Sequence, residues 1–312
     1  MIKTVVSAEL PVEEHLLIRK NRLEPEELGG KEKRISIVTG THGDELEGQF
    51  VCYEMNRRIR ENPKALKGIV DIYPALNPLG IDSITRGVPM FDLDMNRIFP
   101  GMEKGPLMET VASQIVADLK GSDVCIDIHA SNIFLMEIPQ VRISEETADT
   151  LVPLAKLLNV DFIWVHASAT VLESTLAHSL NDVGVPTLVV EMGVGMRITK
   201  RYCEQLVDGI FSLMKELGIW EGPVTPVKEP IVSTDHEVEF INANAAGIFV
   251  PAIEHGDLVK KGQHLGDILS PLTGEVEERI NAGVDGMVFT RREYPVVYSG
   301  SLLARILGGI RK

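Results

Sequence analysis

Apolar and polar positions change rhythm twice along the chain. The first clear signal is a short apolar run, Ile35, Ile37 and Val38, ending in Gly40-Thr-His-Gly43. An apolar run closed by turn residues predicts a buried strand. From about Asp44 to residue 60, Leu46, Phe50, Met55 and Ile59 recur loosely on one side of a helix. Asn62-Pro63 should end it, because the residue before proline is pushed out of the helical region. Residues 69–76 and 123–129 predict further strands, with a helix between them at 107–119, where Val111, Ile115 and Leu119 fall in step. Helices are expected at 146–158, 174–183 and 200–217, and extended segments at 161–166 and 186–192. The 200–217 helix is the clearest: Leu206, Ile210, Leu213 and Leu217 share a face, and Gly218 stands at the expected stop. Strands alternating with helices imply an α/β fold with a mostly parallel mixed sheet flanked by helices. Residues 1–30 are mixed and assign no element. After Gly222-Pro-Val-Thr-Pro226 the helical period disappears. Short strand-like runs then alternate with turns such as Gly256-Asp257, Gly274-Glu275 and Asp285-Gly286. The expected organisation is therefore an α/β domain over 1–222 and a small all-β domain over 223–312.

Composition narrows the function classes. With 312 residues, 44% of them apolar, there is material for more than one core. A net charge of -14 argues against a nucleic-acid partner, since phosphate backbones need basic patches. A few arginines could still build a local pocket for an anionic small molecule. Cys52, Cys125 and Cys203 are odd in number and lack metal spacing, so they are expected to be reduced core residues of a cytoplasmic protein. Met1 to Leu10 lacks a basic segment followed by an apolar one, so no signal peptide is expected. No apolar run reaches about 18 residues, so no membrane span is expected either.

Candidate chemistry clusters at expected strand ends. His42 and Glu45 follow the first strand, and an imidazole nitrogen with a carboxylate oxygen three residues on can grip one divalent metal, usually zinc. His129 ends an apolar strand, where open α/β sheets place their ligands. Strand alternation puts Cys125, Asp127 and His129 on one face, so Asp127 could orient a metal-bound imidazole. A histidine that merely caps a buried strand is the alternative. Glu191 closes Leu188-Val-Val-Glu-Met-Gly193 and could serve as a general base, or as a salt-bridged structural carboxylate. The long stretch from Asn77 to Gly105 is rich in Gly, Pro, Asp and Arg, and loops of that length are usually functional or disordered. It carries Arg86, Asn96 and Arg97. A guanidinium fork suits a substrate carboxylate, although Arg97 could instead pair with Asp92 or Asp94 at the surface.

Taken in order, Gly40-Thr-His-Gly-Asp-Glu45, Asp94-Met-Asn-Arg-Ile-Phe99, Asp127-Ile-His129 and Val190-Glu-Met-Gly193 resemble the succinylglutamate desuccinylase/aspartoacylase family, within the zinc carboxypeptidase-like superfamily. The resemblance runs over about residues 30–215. It implies one zinc per chain on His42, Glu45 and His129, with Glu191 as general base and acid. It implies Arg97 contacting the oxyanion or a substrate carboxylate, Asn96 beside it, and Arg86 as a further substrate contact. Arg86 stands ten residues before Asn96, a stretched spacing, and Ala130 to Pro139 is more apolar than expected for aspartoacylase proper. Both departures bear on the acyl group and the amine rather than on the metal chemistry. Asp44 and Glu47 are expected to be helix N-terminal charges.

The β segment has a resemblance of its own. Ala246 to Pro251, Glu254 to Gly266 and Asp285 to Val288 look like a biotinyl/lipoyl hammerhead. Ile268 to Val276, where a carrier would present its modified lysine, contains none, so the segment is expected to be a wall of the site or an oligomer surface. His15, His166, His178, His236, His255 and His264 are expected to be peripheral to the chemistry. Tyr294 and Tyr298 are expected to pack. The expected activity is zinc-dependent cleavage of the amide of a small N-acyl amino acid or related N-acylated amine. A metallo-carboxypeptidase and a non-catalytic binding protein are the alternatives, and a homo-oligomer is left open.

Overall fold

The computed structural model describes residues 1–166, 173–234 and 237–308. His236 lies outside them. In chain order the elements are β1 (Ile2–Glu9), β2 (His15–Leu23), β3 (Arg34–Thr39), α1 (Glu47–Glu61), β4 (Ile69–Tyr73), α2 (Pro78–Ser83), α3 (Leu107–Leu119), β5 (Val124–His129), β6 (Leu135–Ser144), α4 (Ala148–Ala155), β7 (Phe162–His166), α5 (Leu176–Asp182), β8 (Thr187–Gly193) and α6 (Lys200–Glu216). Then come β9 (Ile231–Thr234), β10 (Val238–Asn242), β11 (Gly247–Pro251), β12 (Leu258–Val259), β13 (His264–Leu269), β14 (Val276–Asn281), β15 (Gly286–Arg292), β16 (Val296–Val297) and β17 (Leu302–Gly308). Gly218, at φ +73, ends the α6 segment where the periodicity stops.

The expected α/β architecture is observed. β4, β3, β5 and β8 are parallel neighbours and form the middle of a large mixed sheet. The sheet is buried on both sides by one rule, strand alternation. Ile35, Ile37, Ile126, Ile128, Leu188 and Val190 face α1, α4 and α6, whereas Val38 and Cys125 face the layer of α3 and α5. Each fully buried aliphatic side chain of this kind contributes roughly 1.5–3 kcal/mol. Asp127 and His129 continue the row begun by Cys125, so they emerge toward α3 and α5 at the carboxyl end of β5. The three cysteines are buried and unpaired. Among the described residues no helix is long and apolar enough to cross a membrane.

β1, β2, β6 and the short helix α2 escape the sequence pattern. Residues 1–30 form the β1–β2 hairpin, whose second strand joins β4. It is anchored by Lys20, buried and bridging Asp71 at 3.2 Å and Asp118 at 2.6 Å. β6 was not expected, because Pro139 interrupts it and proline cannot donate to a ladder. Its pairing with β8 indeed shifts register between Glu137 and Gln140.

No α-helix follows α6 among the described residues. β11, β13, β14 and β16 form a separate four-stranded sheet, but β15, β17 and β10 extend the large one. The join is β15 against β6, with Thr290 opposite Glu137. The C-terminal β segment thereby reaches the edge of the cavity described next.

Candidate metal centre and cavity

The turn between β3 and α1 presents the first two candidate ligands. Residues 41–46 are non-helical, so α1 begins at Glu47, three residues later than the sequence suggests. The turn lies flat on the start of α2. A Cβ on Gly43 would stand 2.0 Å from the Gly80 carbonyl carbon, so only glycine permits this approach. Of the neighbouring acids, Glu47 stands in the first turn of α1 as expected and Asp44 lies in the turn before it. Glu47 is fully buried and accepts from the Thr199 amide at 2.7 Å and the Cys203 thiol at 3.0 Å. Burial raises its pKa. Asp44 is buried as well, and burial followed by the nearby Glu45 carboxylate raises its pKa.

His42, Glu45 and His129 converge. One ligand atom from each lies within 4.8 Å of the others. Glu45 sits between the imidazoles, with Oε1 2.8 Å from His42 Nδ1 and Oε2 2.9 Å from His129 Nδ1. All three side chains are buried. The far nitrogens face carboxylates: His42 Nε2 lies 3.0 Å from Asp94 Oδ1, and His129 Nε2 lies 3.2 Å from Asp127 Oδ2. The His42 Nδ1 contact with Glu45 lacks hydrogen-bond alignment, leaving a buried nitrogen without a hydrogen-bond partner. Two inward-facing imidazole nitrogens, one carboxylate and a carboxylate behind each ring form a donor set that fits zinc.

The electrostatics agree. Burial raises the Glu45 pKa, but the two imidazoles outweigh it and hold the carboxylate well below its usual range. Burial disfavours a charged His129, yet Asp127 and Glu45 outweigh it and push its pKa well above the ordinary histidine value. A site with this balance attracts positive charge.

Register brings Glu191 to the same place. β5 and β8 are parallel, and His129 is paired with Glu191 across them. Arg142 of β6 approaches Glu191 Oε1 at 3.5 Å. Burial outweighs that guanidinium and, with Glu137 also pushing upward, raises the Glu191 pKa to about 7.

The three candidate ligands line one cavity of about 610 Å³ together with Asp127, Glu137, Arg142 and Glu191. Arg86, Asn96 and Arg97 line it too. Arg86 Nη1 bonds Glu45 Oε1 at 2.9 Å, and its Nε lies 3.5 Å from Asp94 Oδ2, so in this conformation it braces the ligand cluster. Asn96 accepts from the Leu176 amide at 2.9 Å, which ties the long loop to the start of α5. Arg97 donates to the Asn96 carbonyl at 2.7 Å, while Asp94 is taken by His42 and Arg86. His166 and His178, expected to be peripheral, line the far wall, the latter 3.3 Å from Asp182. Tyr294 packs edge-on against Phe134.

Sequence reasoning passed over Asp94 as a partner of His42, and Glu137, Arg142 and Arg305 altogether. The available signal was two charged residues, Glu137 and Arg142, alternating with apolar ones between Leu135 and Ile143. Arg305, on a strand more than a hundred residues further on, carries no such signal.

Residues 31–217 match the model of the succinylglutamate desuccinylase/aspartoacylase catalytic domain. Among characterised relatives, the chain is 26% identical over 280 residues to N-alpha-acetyl-L-2,4-diaminobutyric acid deacetylase of Halomonas elongata, covering 86% of this chain and 80% of that one. The fold is shared with a succinylglutamate desuccinylase/aspartoacylase from Rhodobacter sphaeroides, at TM-score 0.81 and 21% identity over 100% of this chain and 96% of that one. It is shared equally with the product-bound ectoine utilization protein EutE (DoeB) of Ruegeria pomeroyi, at TM-score 0.81 and 20% identity over 97% and 93% of the two chains.

Proposed function

The chain belongs to the succinylglutamate desuccinylase/aspartoacylase family, and from that premise we propose that it is a zinc-dependent hydrolase cleaving the amide of a small N-acyl amino acid. The observation that carries this reading is the pairing of His129 with Glu191 across β5 and β8, which sets a ligand-type residue beside a carboxylate of raised pKa in one cavity. His42, Glu45 and His129 are the groups that would hold the metal. Zinc at that position supplies Lewis acidity, polarising the scissile carbonyl and activating water.

The chain's own residues do the rest. Glu191 takes a proton from the attacking water as the new C–O bond forms. It then returns that proton to the amine nitrogen as the C–N bond breaks. A pKa of about 7 suits both transfers, because a general acid–base works best near the ambient pH. Arg97, with Asn96 next to it and Arg86 lining the same cavity, binds the carbonyl oxygen that gains charge or a substrate carboxylate. The cavity of about 610 Å³, walled on one side by Arg305 of the C-terminal segment, favours a small substrate over a long peptide.

The test is a hydrolysis screen of N-acetyl, N-succinyl and N-formyl amino acids, with N-α-acetyl-L-2,4-diaminobutyrate and short peptides included, before and after chelation. Turnover of an N-acyl amino acid, lost with chelator and restored by zinc, supports the reading. Turnover confined to peptides, or unaffected by metal removal, overturns it.

A further inference from the structure

The reading above uses Glu191 and leaves unexplained why one buried and two half-buried charged side chains stand behind it. Glu137, on β6, is 1% exposed. Its Oε2 accepts from Arg142 Nη2 at 2.7 Å and from Gln140 Nε2 at 2.8 Å. Its Oε1 accepts from Arg305 Nη1 at 2.7 Å, with the Thr290 hydroxyl at 3.4 Å. Arg142 then extends Nη1 toward Glu191. The result is a continuous row, Arg305–Glu137–Arg142–Glu191, crossing from β17 through β6 to β8. Both guanidiniums lie over the Trp164 ring, each about 5.6 Å from its centroid. Such stacking restricts where the forks can point.

We infer that Arg305 is a positioning residue for Glu191, acting through Glu137 and Arg142, so that the C-terminal β segment is part of the catalytic apparatus. A guanidinium facing a lone carboxylate settles into a two-pronged pair that occupies both oxygens. Here Glu137 claims Nη2 of Arg142, and the nearest approach of Arg142 to Glu191 is Nη1 at 3.5 Å from Oε1, too long for a two-pronged pair, so Glu191 stays available for proton transfer. Glu137 is buried, and Arg142, which it shares with Glu191, is only one guanidinium partner for it. Arg305 supplies the second, and β17 delivers it because β15 carries the C-terminal strands onto β6. Without Arg305, Glu137 is left with Arg142 and draws it away from Glu191, so the proton-transfer group loses its anchor.

This inference rests on Glu191 as the proton-transfer group. It is tested on the full chain with the N-acetyl amino acid turned over fastest in the screen above. Wild type, Arg305→Met, Arg305→Lys, Glu137→Gln and the double variant Arg305→Met/Glu137→Gln are compared for kcat, KM, zinc content and melting temperature. Arg305→Met should lower kcat by about tenfold or more, the scale of small misplacements in active sites, with KM within about twofold and zinc content unchanged. Arg305→Lys should recover part of the loss. The double variant should be no slower than the slower single variant, since both act through one row of contacts. If Arg305→Met does not fold, the comparison of Arg305→Lys with Glu137→Gln carries the same test. Unchanged kcat in folded variants, a rise in KM alone, or additive losses in the double variant overturn the inference while leaving the deacylase reading intact. A wild-type protein without turnover overturns both.

Discussion

Replacing Glu191 by glutamine should destroy turnover and, in one pH range, stabilise the protein. The side chain lies among Arg142, Glu137 and His129, and burial raises its pKa from 4.5 to about 7. At about 1.4 kcal/mol per pH unit, ionising it in the folded state costs about 3 kcal/mol more than in the unfolded chain. The sign follows from the raised value. Below pH 4.5 the carboxyl is neutral in both states and costs nothing. Between pH 4.5 and about 7 the unfolded chain releases the proton first, so stability falls as pH rises, and above about 7 the full cost is present. Glu191→Gln keeps the shape without the charge, so its advantage over wild type should grow from near zero at pH 4.5 toward about 3 kcal/mol at pH 8, the attraction of Arg142 being already included in that net shift. The assay is thermal unfolding of metal-free protein at pH 4.5, 6 and 8, with wild type alongside. Zinc content and kcat are measured on the loaded protein, where zinc should be retained and kcat should fall by about 10² or more. A stability difference that does not change with pH would refute the burial argument. Full activity would remove Glu191 from the mechanism.

Two further outcomes follow from the ligand turn. Asp94→Asn removes the carboxylate behind His42 Nε2 and should weaken zinc binding about 10- to 100-fold by competition titration, with the fold intact by circular dichroism. Unchanged affinity would reduce Asp94 to a surface charge. Gly43→Ala forces a methyl group against the Gly80 backbone, which cannot yield as a side chain would, and should lower both melting temperature and zinc affinity. A variant that binds zinc as wild type does would show that the turn can shift without moving His42 and Glu45.

Much of the fold is legible because its signals are local. The α6 helix reads correctly from Leu206, Ile210 and Leu213, all fully buried, since a 3.6-residue period needs only the chain's own geometry. β5 and β8 read correctly because strands buried on both faces are continuous apolar runs. Where a segment depends on what it meets, the reading fails. The β1–β2 hairpin is held by Lys20 to Asp71 and Asp118, partners about 50 and 100 residues away. β6 carries Pro139 and Glu137, whose partners include Thr290 of β15 and Arg305 of β17. The helix start at Glu47, rather than near Asp44, is set by the turn docking onto α2 and by Thr199 and Cys203 closing over Glu47.

The candidate site divides along the same line. Its chemical inventory, His42, Glu45, His129, Glu191 and the Asn96-Arg97 pair, stands in the sequence in order, because residue type and position at a strand end are properties of the chain alone. Three things were decided only in three dimensions. The parallel register of β5 and β8 set Glu191 beside His129 rather than further along its strand. Folding of the long loop turned Asp94 toward His42 and Arg86 toward Glu45. The docking of β15 on β6 brought Arg305 to Glu137, and through Arg142 to Glu191. Register and docking are settled by the summed burial of whole faces and the pairing of charges far apart in the chain. No window of sequence contains that sum, so the candidate ligands and the candidate base could be named from the chain, while the residues that contact them could be seen only in the structure.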